Sequence, residues 1–343
     1  MSRIGQVSVL LLGSAMVATG IWYGISQLPR SAPALPTKPA VSPRDLPAPE
    51  AVSPETAAPG PKPTLEDSQI ADFSATFRKA ENYRQFIVDA LPAARNGNAD
   101  AQYYISAAMK YCADIRGYFG GRNKMISLEA AIERWASTQA RGMGDFLQRA
   151  ESLCRDFWDN PDTSWGSVDE WQTRAAESGQ PVAKVLKAQQ ILLQKRSAGQ
   201  QKMTHVSNPD DPSTWQSYQL TEDDLREPRA LVTEALVTRN PEAIAHIGDL
   251  AYLLNPDRPD VDEGGESWVW LYAACLRGLD CSGQAEWRRQ ICGFEPDCSP
   301  QQEGLDFLRQ LAPRLDLMNL EARAYALNDR IDQAQWNALG LGL

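Results

Sequence analysis

The stretch "ARNGNADAQYYISAAMKYCA", Ala94 to Ala113, decides the fold. From Ala101 onward its apolar residues fall at Ala101, Tyr104, Ile105, Ala108, Met109 and Cys112. These are positions i, i+3, i+4, i+7, i+8 and i+11, which share one face of an α-helix; a strand would alternate instead. Gly97 stands a few residues upstream. Glycine suits the left-handed residue that closes a helix, so the segment reads as a helix end, a tight break and a new helix.

Working outward, the same frame returns. "ARNGNADA" (Ala94 to Ala101) and "AESGQPVA" (Ala176 to Ala183) both read Ala-x-x-Gly-x-x-x-Ala. "VTRNPEAI" (Val237 to Ile244) is a looser copy with Asn240 at the glycine position. Small residues after each break allow two helices to approach closely. Helices are predicted over about 78–94, 99–113, 127–140, 144–157, 167–177, 181–195, 229–239, 241–254, 264–278, 284–292, 300–312 and 316–338 by their spacing of apolar residues. Thr221 with Asp224 also has the pattern of a helix start. No run alternates long enough to predict a strand. The expected fold class is all-α, an irregular, solenoid-like stack of αα-hairpins.

"GNADAQYYISAAM" and "WQTRAAESGQPVAKVLKA" resemble Sel-one-like repeats, relatives of the tetratricopeptide repeat. The resemblance covers about a third of the folded part. It implies αα-hairpins, disulfides in secreted members and a role in protein–protein interaction. The copies are unevenly spaced, at 97, 179 and 240, so the implied solenoid is an irregular one.

The chain has 343 residues and a net charge of −10. Residues 4–28 carry no charge, and about 37 Å of helix would span a hydrocarbon core of about 30 Å. The only Ala-x-Ala candidate, Ala32-Pro33-Ala34, lies beyond the apolar run and contains proline, so residues 1–30 read as an uncleaved transmembrane anchor rather than a removed signal. Residues 31–64 contain ten prolines and no aromatic residue, a composition expected to form a disordered, extended linker. Residues 65–343 are the expected helical domain. Five basic and three acidic residues in the first 64 leave this domain with 29 basic and 41 acidic residues. That balance disfavours contact with a phosphate backbone, so nucleic acid is not an expected partner.

All six cysteines, Cys112, Cys154, Cys275, Cys281, Cys292 and Cys298, lie in the domain. An even number beyond an anchor points to structural disulfides in an oxidising compartment. "CLRGLDCS" and "CGFEPDCS" repeat one spacing, Cys-x₅-Cys-Ser; structural zinc more often uses C-x₂₋₄-C. A helix from Asp280-Cys281-Ser282 to about Cys292, stopped by Gly293, would separate those two cysteines by about 16 Å. A disulfide tolerates Cα separations up to roughly 7 Å. The expected pairs are therefore Cys275–Cys281 and Cys292–Cys298, leaving Cys112 with Cys154.

Catalytic signatures are scarce. His246 lies on an apolar helix and His205 in a polar loop. Asp169-Glu170 and Asp223-Asp224 fall at helix starts, where negative charge favours the dipole. "DVDEGGE" (Asp260 to Glu266) opens like a calcium loop but has Leu271 where a glutamate is needed. No cofactor, metal or catalytic residue is expected. Trp158, Trp165 and Trp171 crowd between acids and offer either a partner contact or helix anchors in the core. The expected function is a membrane-tethered helical scaffold or adaptor that binds a protein or peptide in the cell envelope, with the anchor in the inner membrane and the domain periplasmic. One alternative is a steric chaperone, because lipase-specific foldases share the anchor–linker–helical-domain plan; their Arg-x-x-Phe-Asp-Tyr signature is absent, and Asn82-Tyr83-Arg84-Gln85-Phe86 does not match it. The other is an envelope hydrolase built on paired carboxylates.

Overall fold

The computed structural model describes residues 72–120, 125–135, 142–204, 219–255, 265–282, 285–294, 304–314 and 319–343. The expected anchor and linker lie outside the described residues. Among the described residues there is no strand, and no helix is long and apolar enough to cross a membrane.

In chain order the helices are α1 (Phe73–Lys79), α2 (Tyr83–Arg95), α3 (Ala99–Ile115), α4 (Leu128–Trp135), α5 (Met143–Asp159), α6 (Val168–Glu177) and α7 (Pro181–Thr204). After them come α8 (Glu222–Val237), α9 (Pro241–Gly248), α10 (Ala251–Leu254), α11 (Gly265–Leu276), α12 (Glu286–Phe294), α13 (Gly304–Arg314) and α14 (Leu320–Asp332). Three αα-hairpins form the spine: α2/α3, α6/α7 and α8/α9. α3 packs on α6, α7 on α8 and α9, α9 on α11, and α11 on α14.

Each hairpin turns through the same three residues. Asn96, Ser178 and Thr238 close a helix; Gly97 (φ +90°), Gly179 (φ +93°) and Arg239 (φ +55°) take the left-handed conformation; Asn98, Gln180 and Asn240 cap the next helix. The cap side chains accept from the backbone N–H three residues on, Asn98 from Ala101 at 2.8 Å, Gln180 from Ala183 at 2.7 Å and Asn240 from Ala243 at 2.9 Å. Asn98 N–H also donates back to the Ala93 carbonyl and Gln180 N–H to that of Ala175, which satisfies carbonyls a helix end leaves open. The residue four after each left-handed position is Ala101, Ala183 or Ala243, and all three are fully buried. A larger side chain there would push the two helices of the hairpin apart.

The third copy thus differs from its sequence reading. Asn240 does not occupy the glycine position; Arg239 does, and Asn240 is the N-cap. The helix expected over 78–94 is two helices, because Asn82 is extended and its side chain caps Gln85 N–H at 3.2 Å. The helix expected over 241–254 also breaks, into α9 and α10, after Gly248. At Gly248 α9 approaches α11 closely: a Cβ there would lie 2.8 Å from Trp270 Cβ and 2.9 Å from Ser267 Cα. α8 starts at Glu222 rather than 229. It opens with the capping box Thr221/Asp224 and carries Pro228 inside it. α12 starts at Glu286, later than Asp280–Ser282, and continues through Gly293 to Phe294.

The stack also closes on itself. α12, late in the chain, packs on α5, early in it. A Cβ on Gly142, just before α5, would lie 2.4 Å from the Cys292 carbonyl oxygen. An open solenoid makes contacts only between neighbouring repeats, so this arrangement departs from that pattern.

Candidate functional site

Two expected disulfides are present. Cys112 in α3 bonds Cys154 in α5, with Cα atoms 5.3 Å apart. Cys275 in α11 bonds Cys281, with Cα atoms 5.7 Å apart. Cys292 is also disulfide-bonded; Cys298, its expected partner, lies outside the described residues.

The tryptophans are packing residues. Trp158, Trp165 and Trp171 are 6%, 5% and 3% exposed. Trp158 donates its indole N–H to the Cys112 carbonyl at 2.8 Å, and Trp171 donates to the Trp165 carbonyl. The Arg84 guanidinium lies 5.5 Å from the Trp165 ring and that of Arg174 5.1 Å from the Trp171 ring. A partner would meet arginines here, because the indole faces are already covered.

His246 is half-buried, its Nδ1 4.0 Å from Asp249 Oδ2. Burial raises the Asp249 carboxyl above its usual range, and the imidazole opposes that shift. Glu170 donates its backbone N–H to the Ser167 cap at 3.1 Å, and Asp224 is the capping-box partner of Thr221; both acids serve helix starts. His205 and residues 260–264 lie outside the described residues. Among the described residues no group of three or more His, Cys, Asp or Glu side chains is placed to hold a metal ion.

The sequence does not mark the polar-aromatic site that α3 and α9 form. Tyr103 and Tyr104, adjacent on α3, donate their hydroxyls to the two carboxylate oxygens of Glu242 at 2.7 and 2.9 Å. Glu242 is in the first turn of α9, where the helix dipole also favours a negative charge. The first hairpin therefore grips the third across the one between them. Burial, then the neighbouring Glu242 carboxylate, raises both phenols well above the usual tyrosine range. The neutral, donating form of each phenol is thereby maintained.

α1 covers this site. The Phe77 ring stacks on Tyr83 with centroids 4.9 Å apart, meets Phe86 edge-on at 5.6 Å and touches Tyr104 at 5.2 Å. Ser74, also on α1, accepts a hydrogen bond from the Arg78 guanidinium at 2.5 Å. Tyr83, Phe86 and Tyr104 are buried, whereas no residue of α1 itself is. Two tyrosines and a glutamate 138 and 139 residues away leave no local pattern in the sequence; only the fold brings them together.

No protein-family model matches the chain, and neither a curated protein nor a solved structure matches it.

Proposed function

We propose that the protein is a membrane-tethered helical scaffold of the bacterial periplasm or an equivalent compartment, which binds a protein or peptide partner. The supporting observation is a polar-aromatic seat, built from α2, α3 and the start of α9 and contacted by the short helix α1. Large aromatic side chains around a few placed polar groups form the kind of surface that supplies most of the energy in protein recognition. The disulfides agree with an oxidising compartment. The uncharged run 4–28 and the proline-rich residues 31–64 supply the tether in this reading, and the likeness to Sel-one-like repeats suggests the same class of task.

Photocrosslinking in intact cells tests it. A photoreactive residue replaces Val237 or Tyr325, which are 63% and 51% exposed, or Phe73 on α1. One discrete protein adduct, retained in the membrane fraction and lost when the domain is deleted, is the expected result. A small-molecule product formed by the purified chain, with no adduct from any position, would contradict the proposal.

A further inference from the structure

We propose, resting on that scaffold reading, that α1 is a detachable cover occupying the partner's seat. The partner is then a helical protein segment presenting the chemistry of α1 itself: two aromatic side chains four residues apart, followed by a basic residue. In α1 these are Phe73, Phe77 and Arg78. Residues i and i+4 share one face of a helix, so both rings can enter the same seat.

Three observations lead there. First, α1 has seven residues and no buried one, and a helix this short does not persist in water without packing. Its contacts are the Phe77 ring among Tyr83, Phe86 and Tyr104 and the half-buried Phe73 against the same core. Second, the pivot behind it is fixed independently. On α5, Arg149 donates to the Ala80 carbonyl at 2.6 Å and Ser152 to the Glu81 carbonyl at 3.4 Å, while the Asn82 amide donates to the Asp156 carboxylate. Fixed in this way, residues 80–82 can stay in place while α1 swings away. Third, the hydrogen bonds below α1 are made without it. Tyr103 and Tyr104 hold the Glu242 carboxylate from the side of α3 and α9, and that anion suits a basic residue arriving with the aromatic pair. Arg78 is exposed on α1 and donates to the Ser74 hydroxyl at 2.5 Å.

The test uses the full chain in detergent and a fluorescent peptide of residues 72–81 as the probe, read by anisotropy. The peptide is too short to be a stable helix in water, so the readout is the comparison between chains. The wild-type seat is occupied and binds it weakly. Phe77→Ala in the full chain frees the seat and raises peptide affinity at least tenfold. Asp72→Ala, which removes the α1 N-cap and touches nothing in the seat, raises it several-fold. A peptide carrying Phe77→Ala binds none of these chains. Amides of α1 also exchange with deuterium at least tenfold faster than those of α3. Equal exchange in α1 and α3, or no gain in binding for either variant when Asp72→Ala retains wild-type helicity, overturns the proposal. A loss of helicity in Phe77→Ala leaves Asp72→Ala to decide. Partner adducts at Val237 or Tyr325 without any gain in peptide binding would remove the seat and leave the scaffold reading intact. Peptide binding without an adduct at any position would do the reverse.

Discussion

Two corners of this molecule use the same covalent bond for different ends. Cys112–Cys154 joins α3 to α5 across 42 residues; both cysteines are fully buried, and Trp158 donates to the Cys112 carbonyl beside it. Cys275–Cys281 spans six residues at the end of α11, both cysteines are half-buried, and the turn between them is already closed by the Leu279 N–H bond to the Ala274 carbonyl. The first bond holds together elements that nothing local would keep adjacent. The second trims a corner that the backbone already forms. A cysteine's contribution to the fold therefore depends on what the chain would do without the bond.

Removing the buried bond gives the largest expected effect. Cys112→Ala with Cys154→Ala loses about 4 kcal/mol of unfolding free energy on the loop-closure estimate, whereas Cys275→Ala with Cys281→Ala loses about 2 kcal/mol. Urea denaturation at neutral pH measures both. Equal losses would break the comparison and indicate that the corner at Cys275 organises more than itself. Trp158→Phe keeps an aromatic ring but removes the N–H donor to the Cys112 carbonyl, for an expected loss of roughly 1–2 kcal/mol. A loss below about 0.5 kcal/mol would mean that the bond, and not its packed surroundings, defines the buried corner. The smallest change is Gly278→Ala. Gly278 has φ +98° and open space around its Cα, so only backbone strain is added, at about 1 kcal/mol. The same substitution in the chain lacking Cys275 and Cys281 should cost less if the disulfide enforces the turn.

These contrasts follow what could be read in the sequence. Gly97 and Gly179 marked their hairpins because glycine reports the left-handed backbone directly. Arg239 hides the third hairpin, since a left-handed arginine gives no signal, and Asn240 then draws the reading one residue downstream. The break before Tyr83 has a signal, Asn82 with Gln85 three residues on, which the expected range 78–94 did not use. Gly248 makes a close approach to Trp270, a role that depends on α11. The pairings Cys112–Cys154 and Cys275–Cys281 agree with the sequence reading, although the helix from Cys281 to Cys292 on which that reading rested begins only at Glu286. The seat formed by Tyr83, Phe86, Tyr104 and Glu242 was not legible. Its members come from three helices whose packing order no single segment encodes. The acids at Asp169, Glu170 and Asp224 were read as helix-start residues, and they occupy that role.

The account as a whole depends on a helical domain whose corners are oxidised where the protein works. Cells quenched in acid, alkylated at once and mapped by mass spectrometry without reduction report this directly. The predicted result is a peptide crosslinked through Cys112 and Cys154 in essentially every molecule, and one joining Cys275 to Cys281. Alkylated Cys112 and Cys154 thiols in the quenched cells, or a crosslink joining Cys275 to Cys292, would contradict it.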